Sequence, residues 1–222
     1  MQPSPDLLAD HRLYNQKYRI QNSRGCAVAG GTLLRLAASP LFITAPHSVV
    51  QFRAGREKCA EYWTGAMAET LGMILDANVA TALSPRTETV NAASADDYLR
   101  VVRLVLSVQD IGLVFDIHGI GPHRAHDIYI GSAGFPEGEF LDGLFRDLAS
   151  MFKVHSHSAL SGKAGLAGLV NYDKSTKAYA LQLELGTRLR QDTTEAADLR
   201  ALADCLGKFA KEFLSKALPK QP

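Results

Sequence analysis

Two histidines in this sequence close apolar, strand-like runs. Leu41-Phe42-Ile43-Thr44-Ala45 lies between Pro40 and Pro46, and His47 follows directly. A histidine held there by a fixed backbone suits a metal ligand or a general base; it equally suits a partly buried ring bonded to a carbonyl. Ile111 to Phe115 is a second apolar run, continuing into Asp116-Ile117-His118. Residues two apart on an extended segment leave the same face, so Asp116 and His118 point together. A buried Asp is costly unless paired, and a ligating imidazole commonly has its other nitrogen held by a carboxylate. The pair therefore has the form of a metal ligand with its orienting partner. Glu184 shares one parity of Tyr179–Leu185 with Gln182, while Leu181, Leu183 and Leu185 take the other. That second face is either solvated or aims a carboxylate into a cleft, where it would move a proton from water to a leaving amine. His123 and His126 fall in the following loop, marked by Gly119, Gly121 and Pro122, and are expected to face solvent or substrate.

The elements that must position these residues follow from hydrophobic period and turn punctuation. Residues 1–15 read as an irregular arm, and Tyr18 to Leu36 as two short strands broken by Gly25, Gly30 and Gly31. Strands are expected at 41–45, 78–83, 111–117, 127–130, 153–157 and 179–185. A basic loop spans Gln51 to Arg56, and helices are expected at 57–74, 96–108, 137–152 and 193–217. Residues 161–168 form a Gly-rich loop in which Lys163 could belong to a lid or to plain surface. Strands alternating with helices predict an α/β fold, a three-layer α/β/α single domain over residues 1–222 with a mixed, mostly parallel central sheet. In such sheets ligands gather beyond the carboxyl ends of the strands, where His47 and His118 fall.

Composition narrows the function classes. The 222 residues are 46% hydrophobic and 21% charged, and 24 Lys and Arg against 23 Asp and Glu leave a net charge of +1. That balance gives no reason to expect nucleic-acid or membrane partners, and no apolar run approaches the roughly 20 residues of a membrane span. The opening Met-Gln-Pro-Ser-Pro-Asp lacks the basic and apolar regions of a signal peptide, so a soluble, cytoplasmic protein is expected. Three cysteines (Cys26, Cys59 and Cys205) share no metal-like spacing and suggest no disulfide framework. A P-loop and a Gly-x-Ser-x-Gly elbow are both absent.

Pro46-His47-Ser48, Asp116-Ile117-His118-Gly119 and Gln182-Leu183-Glu184-Leu185 occur in the order and approximate spacing of the N-formylglutamate amidohydrolase-like family. The sequence resembles that family from the first strand-end histidine to the last helix, and Arg53 to Glu61 with Thr64-Gly65 looks like small bacterial members. The resemblance implies a zinc-dependent amidohydrolase on a phosphorylase/hydrolase-like fold, related to zinc carboxypeptidases and deacylases. It would make His47 and His118 metal ligands and Glu184 the general acid/base. Val49 stands where the family often has Gly, and Gly186 where it often has Asn, departures that bear on the substrate more than on the metal.

Catalytic zinc sites use three protein ligands and leave a fourth position for water, so two histidines are one short. Position 50, where carboxypeptidase spacing would put a Glu, is Val, and His-Glu-x-x-His is absent. Glu61, in the first turns of the expected helix 57–74, is the preferred third ligand, with Glu57 and Glu69 as competitors and a surface pairing of Glu61 with Lys58 as the alternative. Arg53 and Arg188, nearest in sequence to the two ends of the site, are candidates for capturing a substrate carboxylate, unless they are ordinary solvated charge. The expectation is hydrolysis of an amide in a small acidic N-acyl amino acid or related peptide, with one zinc or another divalent ion. Its rivals are a metal-dependent peptidase, a binding module holding an acidic ligand or structural metal, a serine hydrolase using Ser48 with His118 and Asp116, and a Cys59 nucleophile. Oligomeric state is not legible.

Overall fold

The computed structural model describes residues 6–23, 31–53, 56–88, 97–136, 138–156, 170, 176–191 and 194–217. The elements are α1 (Leu7–Ser23), β1 (Thr32–Arg35), β2 (Leu41–Ala45), β3 (Gln51–Arg53), β4 (Arg56–Lys58), α2 (Thr64–Ile74), β5 (Asn78–Ala82), β6 (Arg86–Glu88), α3 (Asp97–Val108) and β7 (Leu113–Gly119). They continue with β8 (Ile128–Gly131), α4 (Glu139–Ala149), β9 (Val154–Ser156), β10 (Tyr179–Leu185), α5 (Thr187–Arg190) and α6 (Ala196–Ala217). A seven-stranded sheet runs β1-β5-β2-β7-β10-β8-β9, and β4-β3-β6 form a small second sheet. Only the β1–β5 and β10–β8 pairings of the large sheet are antiparallel, so it is mixed and mostly parallel, as expected.

Side-chain parity builds the layers. Leu41, Ile43, Leu113, Phe115, Ile117, Leu181, Leu183, Ile128 and Ile130 pack one face against α2, α4 and α6. On the opposite face, Phe42, Ala80, Val114 and Ala180 pack against Tyr98, Val102 and Val105 of α3. In β2, β7 and β10 apolar residues fill that second face at the amino ends; toward the carboxyl ends the same parity carries Thr44, Asp116, His118, Gln182 and Glu184. From β2 the chain passes through α2 to β5 on one side, then through α3 to β7 on the other. Right-handed crossovers in opposite directions require helices on opposite faces. The strand order thus reverses between β2 and β7, the place where open α/β sheets form a crevice.

Several expectations are corrected. The supposed irregular arm is largely α1, which also takes up Tyr18 to Ser23 of the expected strand pair. Its buried stripe is Leu7, His11, Asn15 and Tyr18, a helical spacing built mostly from polar and aromatic residues that carries a weak hydropathy signal. The loop at 51–56 contributes β3 and β4, whose pairing delays α2 to Thr64, so residues 57–63 are not helical. β6 and the short α5 were not foreseen. The Gly-rich loop with Lys163, and Cys26, lie outside the described residues.

Candidate metal centre

His47 is delivered by the turn after β2, and His118 sits one residue before the end of β7. Both are buried, at 8% and 7% exposure, and their rings lie 4.8 Å apart. Glu61 arrives from the turn before α2 rather than from within a helix. Its backbone N–H donates to the His47 carbonyl at 2.8 Å, and its own carbonyl accepts from the Thr64 hydroxyl at 2.8 Å. Trp63 then takes a left-handed φ of 70°, sharply separating that turn from the helix, with its ring stacked on His11. The Glu61 Oε2 atom lies 3.2 Å from His118 Nδ1 and accepts from the Gly119 N–H at 3.0 Å, while Oε1 takes a bond from Lys58 at 3.1 Å. One ligand atom from each of His47, Glu61 and His118 lies within 4.8 Å of the others. Of the competing carboxylates, Glu57 is exposed on β4, and Glu69 bonds Lys17 and the Tyr18 hydroxyl.

A lower tier of side chains orients this upper one. Thr44, Asp116 and Gln182 are register partners across β2, β7 and β10. Asp116 is fully buried; its Oδ1 accepts from the Thr44 hydroxyl at 2.7 Å, and its Oδ2 lies 3.0 Å from His118 Nε2. Gln182 donates from Nε2 to Glu184 Oε1 at 2.7 Å, and Glu184 is the register partner of His118. Thr44 and Gln182 escaped the sequence reading as supports. A polar residue inside a short buried strand, and a polar residue two before Glu184, were the available signals.

Electrostatics tie these side chains together. Burial opposes charge on His118, but Asp116 and Glu61 on its two sides prevail and hold its pKa well above the ordinary imidazole value. Burial likewise opposes charge on Glu61, yet His118, His47 and Lys58 hold it below the usual carboxylate range. An imidazole set between carboxylates suits a bound cation as well as a proton, and metal binding displaces the proton. Two imidazoles and a carboxylate are also donors of the type zinc takes. The residues therefore fit a divalent ion. Glu184 has its pKa raised, chiefly by burial and further by Glu61 and Asp116, against the lowering by His118 and the Gln182 bond.

Arginine placement differs from the sequence reading. Arg188 is half exposed and held by Asp127 (3.2 Å) and Asp198 (2.6 Å), so its guanidinium is already occupied by two carboxylates. Arg53 ends β3, and its side chain lies outside the described residues. The buried guanidinium is that of Arg190, which donates to the carbonyls of Leu185 (3.0 Å), Ile120 (3.0 Å) and Tyr62. These carbonyls follow Glu184, His118 and Glu61 by one or two residues, so one side chain stitches together the three segments that form the site. Gly119 makes room for it, because a Cβ there would meet the guanidinium carbon at 2.8 Å. Ser48 donates to the Ala82 carbonyl at 2.6 Å, and both His118 nitrogens face carboxylates, so neither is turned to Ser48. Cys59 is exposed.

A doubly covered α/β sheet with polar groups gathered at its switch point places the chain in a known architectural class. The likeness reaches a bacteriophage poly-gamma-glutamate hydrolase at 10% identity and a TM-score of 0.54, over 85% of this chain and 92% of that one. It also reaches an N-formylglutamate amidohydrolase from Ralstonia eutropha JMP134 at 13% identity and a TM-score of 0.52, over 85% of this chain and all of that one. At these identities the likeness shows the fold. No family model and no curated protein sequence matches the chain. Among the described residues, no helix is long and apolar enough to cross a membrane.

Proposed function

We propose that this chain is a zinc-dependent amidohydrolase acting on the amide bond of a small acidic N-acyl amino acid or related short peptide. The observation that carries this reading is the convergence of His47, Glu61 and His118 to ligand atoms within 4.8 Å, with Glu184 beside them on the next strand. A zinc ion held by those three would polarise the scissile carbonyl and bring the pKa of water toward about 7. Glu184 takes the proton of the attacking water and returns it to the departing nitrogen. A carboxylate whose pKa burial has raised suits both halves of that transfer. Asp116 holds the His118 ring in place, and Gln182 fixes one oxygen of Glu184 so that the other addresses the substrate. A structural metal site would be closed by four protein ligands, whereas among the described residues three gather here. The two fold neighbours are named for poly-gamma-glutamate and N-formylglutamate, which makes N-acyl-glutamates and short γ-glutamyl peptides the first substrates to try.

Metal content and turnover test the reading together. Purified protein is expected to carry one zinc, and His47→Ala and His118→Ala are each expected to lose it; full zinc in both variants would refute the ligand assignment. Glu184→Gln should keep the metal and lose turnover by about 100-fold or more, the scale of a general acid/base. Wild-type activity in that variant would remove Glu184 from the chemistry.

A further inference from the structure

The sheet register extends the site beyond the residues placed so far. His118 on β7, Glu184 on β10, Tyr129 on β8 and His155 on β9 are successive partners across four neighbouring strands. Directly opposed residues project from one face, so these four form a single transverse row running from the metal centre to the edge of the sheet. Each step is one strand spacing, about 4.8 Å. Tyr129 is buried and its hydroxyl lies 3.2 Å from His126 Nδ1. The His126 and His155 rings stack at 5.0 Å, and the Tyr129 ring meets them edge-on at 5.2 and 5.3 Å. A phenol donating to Nδ1 leaves the proton of a neutral His126 on Nε2, where it is a donor aimed away from Tyr129.

Arg188, the cation nearest Glu184 in sequence, is held by Asp127 and Asp198. Asp127, next to His126, is itself taken up by Arg188 and by the Lys153 N–H at 3.0 Å. Beyond Glu184 the row carries the Tyr129 phenol and the His155 ring, with His126 stacked on the latter. We infer that His126, Tyr129 and His155 form the subsite for the substrate carboxylate, one strand spacing from Glu184. These residues would then set the preference for an acidic amino acid. A carboxylate accepts from imidazole N–H donors in charge-assisted bonds, and the Tyr129 hydroxyl, whose one proton goes to His126 Nδ1, keeps the His126 donor on Nε2. The single-spacing offset places it on the same small molecule as an amide lying over Glu184. For its substrate class this inference rests on the amidohydrolase reading.

The zinc-loaded full chain, assayed on N-formyl-glutamate and its neutral isostere N-formyl-glutamine, tests it. Tyr129→Phe keeps the ring packing and removes the hydroxyl; the double variant His126→Phe/Tyr129→Phe removes the imidazole donor as well. KM for the glutamate compound is expected to rise about tenfold in the double variant, the scale of a hydrogen bond to a charged group, and by less in Tyr129→Phe, which only releases the His126 tautomer. The kcat should stay within about twofold, the pattern of lost ground-state binding, and the glutamine compound should lose less than the glutamate compound, so that the preference for glutamate falls. An undiminished preference for glutamate in the double variant overturns the subsite. Glutarate binding by calorimetry reads the same site without turnover. Weakening of about tenfold in the double variant supports the subsite, whereas equal affinity, or no binding to the wild type, overturns it. An inactive wild type that binds glutarate through these donors refutes the amidohydrolase reading alone; an active one with indifferent variants refutes the subsite alone.

Discussion

Asp116 shows how much of the site is decided by a residue that meets neither metal nor substrate. A fully buried carboxylate survives only because both oxygens are engaged, one by the Thr44 hydroxyl and the other by His118 Nε2. Holding Nε2 leaves Nδ1 as the nitrogen directed toward Glu61, and a negative partner raises the basicity of the ring. Asp116→Asn preserves shape and removes the charge. Its zinc affinity, measured by competition with a chromogenic chelator, should fall about 10- to 100-fold, as found when the outer partner of a metal-bound histidine is lost. An affinity within twofold of the wild type would mean that something other than Asp116 orients His118. The spacing Asp-x-His was readable in the sequence because strand parity alone aligns the two side chains. The Thr44 support was not, since nothing in one strand names its neighbour across the sheet.

Among the elements, α1 joins the site from a distance. Its His11 is buried, with Nδ1 3.0 Å from the Thr70 hydroxyl on α2 and Nε2 3.1 Å from the Arg190 carbonyl, and its ring stacks on Trp63 just ahead of α2. Burial lowers the His11 pKa below its ordinary 6.5, more strongly than the backbone bond to Arg190 raises it. Below that ordinary value the unfolded chain therefore takes up a proton that the folded one resists. The contribution of His11 is whole above pH 6.5 and lost as pH falls from there through the lowered folded value. Denaturant melts of the metal-free protein should show unfolding free energy declining over that window, and His11→Gln should flatten the decline. A decline of equal slope in the variant would assign the effect to other groups. That α1 went unread has the same origin as this sensitivity, because its buried stripe is His11, Asn15 and Tyr18 rather than aliphatic residues. The strands β2 and β7 were legible because burial on two faces leaves compact apolar runs, and β10 because its leucines alternate with Gln182 and Glu184. Glu61 was legible as a candidate but misplaced on a helix, since only the pairing of β3 with β4 holds back the start of α2.

At the scale of the whole molecule, near-neutral net charge conceals a sorting of charge. Asp116, Glu61 and Glu184 converge where the strand order reverses, against His118, Lys58 and the buried Arg190. Three carboxylates drawn together in this way repel one another and are costly to desolvate, and a divalent ion would relieve both terms. The proposed ligands also come from three separate segments: the turn after β2, the turn before α2, and β7. An ion bound there links parts of the chain that the unfolded state leaves far apart, so its binding energy becomes folding energy. At free zinc 100 times the dissociation constant the gain is about 2.7 kcal/mol. Urea unfolding of zinc-loaded protein should show a higher midpoint than chelator-treated protein, with the slope m unchanged, because the surface exposed on unfolding is nearly the same. In His47→Ala the two curves should coincide. Coincident curves in the wild type would separate the cluster from any metal; a zinc-dependent shift surviving in His47→Ala would place the ion elsewhere in the chain.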